Sequence, residues 1–250
     1  MAEKGLAWPQ REIRNMTVFS AAVTEMSRTS EHFDCLESVI DGLENHERLM
    51  SELNRDYSSF MGDENRFTSN LVPQINDVLV KKGYTPSQRY AEFDYHKKAL
   101  DYVREYCHCE DPKVIERFYE IIGHNNQFPD IIIHKPNEML HQICFIEVKF
   151  EGNSKIWEDF DKLTRFKAAC QYLLDYVDIK NINPVFFYHV LIFLCRSLPE
   201  KIKNADEKTK SGLRKCDPNI ICIYKEDNVF HCQTLGEILD EIKTENKQLT

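Results

Sequence analysis

The stretch that decides the fold covers residues 128–150 and reads FPDIIIHKPNEMLHQICFIEVKF. Two apolar runs, rich in β-branched and aromatic residues, flank a polar break at residues 135–138. Such runs, bounded by turn-forming residues, are typical of two buried strands joined by a hairpin-like connection. Each run also carries charge, Asp130 at the start of the first and Glu147 and Lys149 near the end of the second. Charged side chains are rarely buried unless they are paired or bound to a metal, so these three residues require an explanation.

Strand geometry predicts how these charges are arranged. Side chains alternate between the two faces of a strand, so Glu147 and Lys149 share one face and Val148 points to the other. A hairpin would bring Asp130 beside Glu147, and two carboxylates so placed form an oxygen-rich site for a hard divalent cation. A lysine one step along could orient or activate a metal-bound water, or balance charge that develops on a phosphate. Pro129 suits a strand start because it has no N–H for the ladder.

The order Pro129-Asp130, then Glu147-Val148-Lys149, resembles the PD-(D/E)XK nuclease superfamily, with the resemblance covering about residues 60–195. It implies an α/β, restriction-endonuclease-like fold: an αβββαβ core with a mixed central sheet flanked by helices. It also implies a divalent-metal-dependent endonuclease that hydrolyses phosphodiester bonds, with restriction and defence among its roles. Asp130 and Glu147 would hold Mg²⁺ or Mn²⁺, the backbone carbonyl of Val148 would be a further ligand, and Lys149 would position or activate the attacking water.

A third acidic ligand is expected from a helix earlier in the chain. Apolar residues at three- and four-residue spacing over residues 62–82 predict an amphipathic helix, and Glu64 lies near its N-terminus. In the resembled family an early helix often supplies a further acid to the metal site, and Glu64 matches that position. The alternative is an exposed or capping glutamate that the helix dipole favours. Glu92 and Asp94, in a strand predicted over residues 88–95, are the runner-up acids.

The order of the remaining elements supports the resemblance. Periodicity predicts a long helix over residues 156–176, and residues 184–194 are continuously apolar, as in a central strand covered by helices on both faces. The predicted order along the chain is therefore helix, strand, insertion, strand, strand, helix and strand. The insertion at residues 96–127 departs from the family core and reads as two helical pieces. We expect an N-terminal helical region over residues 1–58 and a nuclease-like core over residues 59–250.

The C-terminal part of the chain predicts smaller elements. Residues 197–218 are polar and rich in cations, which indicates a mobile loop or a weak helix. A hairpin is predicted from two apolar runs between residues 220 and 233, and a terminal helix over residues 235–242. A basic loop beside a cleft could close on nucleic acid, whereas a solvated linker is the simpler interpretation.

Nucleic acid, DNA rather than RNA, is the partner that the resemblance implies, and a homodimer is the assembly that it suggests. Cations on the polar face of the predicted helix over residues 156–176 could contact a phosphate backbone: Lys155, Lys162 and Arg165. The alternative is a solvated face, salt-bridged with Glu158, Asp159 and Asp161. A net charge of −9 argues against a generally basic DNA-coating protein.

Composition and cysteine spacing indicate where the protein is located and whether it contains disulfides or a zinc site. No apolar run approaches the length of a membrane span, and no signal-peptide core follows the N-terminus, so we expect a cytoplasmic protein without a membrane partner. Nine cysteines lack the spacing of a disulfide framework, which indicates reduced thiols. Cys107-His108-Cys109 suggests zinc, but structural zinc cysteines are separated by two to four residues, so unbound thiols are the default expectation.

A second functional class stays open. Some branches of the superfamily carry Gln-x-x-x-Tyr in the helix after the Glu-x-Lys strand, but here four residues separate Gln171 from Tyr176. That departure and the net acidity favour a catalytically silent nucleic-acid- or protein-binding module of the same fold. The intact acids and lysine oppose it. A third possibility is an α/β protein in which these charges only pair with each other.

Overall fold

The computed structural model describes thirteen helices and strands of this chain. The residues described are 34–53, 55, 64–81, 91–93, 111–123, 129–135, 141–150, 156–176, 185–194, 197–227 and 229–248. The helices are α1 (Asp34–Glu52), α2 (Glu64–Lys81), α3 (Pro112–Ile122), α4 (Ile156–Tyr176), α5 (Leu198–Lys203), α6 (Glu207–Leu213) and α7 (Leu235–Gln248). The strands are β1 (Ala91–Phe93), β2 (Ile131–Lys135), β3 (His141–Phe150), β4 (Val185–Leu194), β5 (Ile221–Glu226) and β6 (Val229–Thr234).

The six strands form one sheet in which spatial order follows chain order. Strands β1, β2 and β3 are antiparallel neighbours, β4 runs parallel to β3, and β5 runs parallel to β4. The sheet ends in the antiparallel β5–β6 hairpin. The α/β class, the mixed sheet and the predicted order of helix, three strands, helix and strand are therefore confirmed, as are the hairpin and terminal helix near the C-terminus.

Helices cover both faces of the central strands. On one face, α4 buries Phe160, Leu163 and Phe166, and the ring of Phe166 stacks on Phe145 of β3 at 5.2 Å. On the other face, Phe67 of α2 meets Phe150 edge-on at 5.4 Å. Burial of each such side chain contributes about 1.5–3 kcal/mol. This double cover explains why β4 is almost entirely apolar, as the sequence predicted.

The second half of the insertion is a capped helix. The side chain of Asp111 accepts a hydrogen bond from the backbone N–H of Lys113, and Pro112 occupies the first turn of α3. Gly123 ends the helix with φ of 89°, a conformation that only glycine adopts readily. The apolar side of α3, which includes Phe118, belongs to the core that surrounds α4. The other helical piece predicted in the insertion, and Cys107-His108-Cys109, lie outside the described residues.

Of the alternatives predicted for residues 197–218, the weak helix is confirmed in part, because the segment contains two short helices, whereas the mobile loop and the solvated linker are wrong. Ser197 and Asp206 cap the short helices α5 and α6 by accepting backbone hydrogen bonds. Leu198, Ile202 and Leu213 are buried in the core around α4, which fixes this segment despite its polar composition. Cationic side chains obscured the sparse apolar positions in the sequence.

Residues Cys35–Thr250 form one compact unit, which includes all of α1 except Asp34. The predicted boundary at residue 58 stays a prediction, and most of the N-terminal region lies outside the described residues. In the part of the chain that the structure describes, no helix is both long enough and apolar enough to cross a bilayer.

Two glycines in helices offer a matched test of the packing. A Cβ at Gly42 of α1 would lie 2.7 Å from Cγ1 of Ile75 and 3.2 Å from its backbone N and Cα, whereas one at Gly212 of α6 would be 3.5 Å from the Trp157 ring. Because backbone cannot yield easily, we expect Gly42→Ala to lower the free energy of unfolding by about 1–3 kcal/mol. Gly212→Ala should be neutral or stabilising by up to about 1 kcal/mol. Urea unfolding of both variants measures this, and equal effects would contradict the close α1–α2 contact.

Buried His189 on β4 predicts a dependence of stability on pH. Burial, followed by the charge of Lys167, lowers the pKa of His189 from 6.5 to about 3, and Asp217 opposes the shift. Between these pKa values the unfolded chain binds the proton and the folded chain does not, so the contribution of His189 to stability falls as pH falls below about 6.5. At pH 5 the loss is about 2 kcal/mol.

Unfolding titrations of wild type and His189→Gln across this range isolate the effect, because other titrating groups cancel in the difference. The advantage of wild type over the variant should shrink steadily between pH 7 and pH 4. A difference that does not change with pH would contradict the buried, neutral histidine.

Candidate active site

Asp130 lies immediately before β2, at the end of the sheet where β3 carries its charged residues. Ile131 pairs with Ile146, so Asp130 lies at the level of Glu147 on the neighbouring strand. Its Oδ2 accepts a hydrogen bond of 2.7 Å from the backbone N–H of Val148, which fixes the carboxylate against β3. Burial raises the pKa of Asp130, although this hydrogen bond and two nearby lysines oppose the rise.

Glu147 is the most deeply buried charge of the site, with 1% of its side chain exposed. The Nζ of Lys162 on α4 lies 2.6 Å from its Oε1. The contact is a short ion pair between an ammonium group and a buried carboxylate. Burial, followed by the charge of Asp130, raises the pKa of Glu147 well above its ordinary value, and Lys162 opposes the rise.

Lys149 connects the strand to two helices. Its Nζ lies 2.9 Å from Oε2 of Glu64, at the start of α2, and 3.6 Å from Oδ1 of Asp159 on α4. Burial alone would lower the pKa of Lys149, but Asp159 and Glu64 outweigh it, so the pKa is raised. The ammonium group is therefore charged at physiological pH and held by carboxylates from both faces of the sheet.

The structure brings together all four residues predicted for the site, Asp130, Glu147, Lys149 and Glu64. Glu64 is in the first turn of α2, as the helix-dipole interpretation also requires, but its carboxylate is used in the ion pair with Lys149. Val148 supplies its N–H to Asp130. The runner-up Asp94 and the side chain of Glu92 lie outside the described part of the chain.

Two further residues of α4 complete the cluster. Asp159 and Lys162 are three residues apart and therefore face the same side of the helix. Burial raises the pKa of Asp159 to about 6, with Lys149 and Lys162 opposing the rise. Sequence reasoning placed Asp159 in a solvated, salt-bridged face and Lys162 among phosphate contacts. The available signal was their spacing, because residues three apart can face the charged residues of the preceding strand.

The cations predicted to contact nucleic acid have other partners in this structure. Lys162 pairs with Glu147. Arg165 donates a hydrogen bond of 3.1 Å to the backbone carbonyl of Ile122 and forms an ion pair of 2.9 Å with Asp161, which ties α3 to α4. Lys155 lies outside the described residues. A contact of these side chains with nucleic acid stays a prediction.

The carboxylates of the site are chemically suited to bind a hard divalent cation. Four carboxylates and two ammonium groups meet at the site, so two formal negative charges stay unbalanced when all are ionised. Carboxylate oxygens are the ligands that Mg²⁺ and Mn²⁺ prefer. No three acids, histidines or cysteines of the described residues are arranged as a metal cluster. In this structure the carboxylates are paired with lysines: Lys162 with Glu147 and Lys149 with Glu64.

Comparisons with known proteins give no match. No protein-family model matches the chain, and neither curated proteins nor solved structures include one that does.

The buried Glu147 predicts that a neutral isostere stabilises the metal-free protein. The raised pKa of Glu147 means that the folded state is penalised as pH rises through that pKa, because the unfolded chain ionises more easily. We therefore expect Glu147→Gln to raise the free energy of unfolding relative to wild type, and more so at pH 8 than at pH 5. Denaturant unfolding in the presence of a chelator measures this. A destabilised variant at pH 8 would show that the ion pair with Lys162 outweighs the burial of the charge.

Proposed function

We propose that this protein is a divalent-metal-dependent nuclease that hydrolyses phosphodiester bonds in nucleic acid, DNA rather than RNA. The observation that carries the proposal is the convergence of Asp130, Glu147, Lys149 and Glu64 from separate elements. Burial raises the pKa values of Asp130 and Glu147, and buried charges with shifted pKa values are concentrated at functional sites.

The sheet supports the same conclusion. An antiparallel β1–β2–β3 meander followed by α4 and the parallel β4 is the arrangement expected of a restriction-endonuclease-like core. The acids and the lysine lie at the end of β3 and the start of β2, where two strands and two helices meet. A nuclease of this superfamily would place its metal at that point.

The roles of the side chains follow from their contacts. Asp130 and Glu147 would hold one or two Mg²⁺ or Mn²⁺ ions, with Glu64 and the backbone carbonyl of Val148 as further ligands. When bound, the metal supplies Lewis-acid activation of the phosphate and of water. Lys149, charged and oriented by Glu64 and Asp159, would position the attacking water and balance the negative charge that develops on the phosphate.

A second candidate is a catalytically silent nucleic-acid- or protein-binding module of the same fold. The ion pairs favour it, because Lys162 neutralises Glu147 and Lys149 neutralises Glu64. A module that needs no metal would keep these pairs as internal structure. Binding of Mn²⁺ separates the two candidates, since only the nuclease requires it.

We expect wild-type protein to cleave DNA with Mg²⁺ or Mn²⁺, and Asp130→Asn and Lys149→Met to reduce the rate by roughly a hundredfold or more. Asp130→Asn keeps an acceptor for the Val148 N–H, so a loss of activity reports on charge rather than on folding. The measurement is cleavage of single- and double-stranded DNA, with RNA as a comparison substrate.

Lys167→Met is the matched control, because Lys167 lies on the same helix but pairs with Asp217 away from the site. It should retain the wild-type rate. If wild type and both site variants behave identically, the nuclease assignment fails. If wild type neither binds Mn²⁺ nor cleaves DNA or RNA, the silent module is favoured.

A further inference from the structure

Each charged residue of the Glu147-Val148-Lys149 segment of β3 faces an opposite charge on α4. Along the strand, Glu147 is followed two residues later by Lys149, on the same face of the sheet. Along the helix, Asp159 is followed three residues later by Lys162. The ion pairs connect opposite charges across the interface, Lys162 to Glu147 at 2.6 Å and Asp159 to Lys149 at 3.6 Å. The helix therefore carries a charge pattern complementary to the catalytic motif.

The two pairs have different consequences for a cation that enters the site. Asp159 pairs with Lys149, and a metal at Asp130 and Glu147 would not need to displace Lys149. Lys162 lies against Oε1 of Glu147, the carboxylate that a metal would need. This oxygen belongs to a side chain that is 1% exposed. A buried carboxylate needs a counter-charge, and the repulsion between an ammonium group and a divalent ion on the same buried carboxylate disfavours binding of both.

We propose that Lys162 is an internal competitor of the metal: its ammonium group neutralises Glu147 in the metal-free protein and is displaced when a divalent cation binds. This inference rests on the proposed function, since it requires that Asp130 and Glu147 bind a metal. Lys162 keeps the buried acid compensated before loading and weakens metal binding by the free energy needed to break the ion pair. The site then loads only where the cation concentration is sufficient.

The test is calorimetric titration of the full chain with Mn²⁺ near neutral pH. We expect Lys162→Met to bind Mn²⁺ about tenfold or more tightly than wild type, because a unit positive charge next to the cation has been removed. Lys167→Met, on the same helix but paired with Asp217, should bind with wild-type affinity. A merely structural lysine would give equal or weaker binding when replaced, and that result would overturn the proposal.

The variant without metal carries an uncompensated buried acid, so its fold needs a separate measure. Thermal unfolding with and without Mn²⁺ provides it, because Mn²⁺ should raise the unfolding temperature of Lys162→Met more than that of wild type. Nitrogen NMR of the lysine ammonium groups of wild type, titrated with Mg²⁺, needs no variant at all. The Lys162 signal should shift on saturation while the Lys167 signal does not. An unchanged Lys162 signal at saturation contradicts displacement.

Mn²⁺ titrations of wild type and Lys162→Met distinguish an error in the role of Lys162 from an error in the metal site. If wild type binds Mn²⁺ and Lys162→Met binds no more tightly, only the role of Lys162 is wrong. If neither protein binds Mn²⁺, the metal site itself is wrong and both conclusions fall. Asp130→Asn, which removes one ligand, should weaken Mn²⁺ binding in both backgrounds.

Discussion

The burial of Glu147 in the middle of a six-stranded sheet is the constraint on which the rest of the site depends. An ionised carboxylate that is 1% exposed is strongly disfavoured unless charge or hydrogen bonds compensate it. Asp130 lies beside it and adds repulsion rather than relief. Lys162 supplies the compensating charge, and α4 must therefore cross β3 at a position that places this lysine over Glu147.

The hydrophobic core makes that position possible. Phe166 of α4 stacks on Phe145 of β3, and residues 160 and 163 of the same helix are buried against the sheet. These contacts fix the rotation of the helix about its axis. Asp159 and Lys162 lie on or beside this buried face, near the start of the helix, and so reach the charged end of β3. Apolar packing thus orients the polar cluster, which alone would stabilise little because much of its Coulomb energy is offset by desolvation.

The same arrangement links the two faces of the sheet. Lys149 receives Glu64 from α2 and Asp159 from α4, helices that pack on opposite sides. The short α3 and the helices α5 and α6 close the core around α4, and Arg165 joins α3 to α4 through the carbonyl of Ile122. A displacement of either large helix would therefore change the environment of the lysine that is proposed to act on water.

Most of the fold could be predicted from local patterns. Continuous apolar runs identified β2, β3 and β4, and a period of three to four residues identified the helices α2 and α4. The short helices α5 and α6 were predicted only as a mobile loop or a weak helix, since only three buried leucines and isoleucines stand among many cations. Their order comes from contacts with α4, which lie far away in the sequence.

For the site, strand alternation placed Glu147 and Lys149 on one face, and the predicted hairpin placed Asp130 beside Glu147. The helical pattern placed Glu64 at the start of α2. The sequence by itself therefore determined which charges lie on each element and which of them share a face. The tertiary structure alone decided that α4 turns Asp159 and Lys162 onto β3 rather than toward solvent. The physical reason is that the rotation of a helix against a sheet is set by side-chain packing between distant segments, and no local period records it.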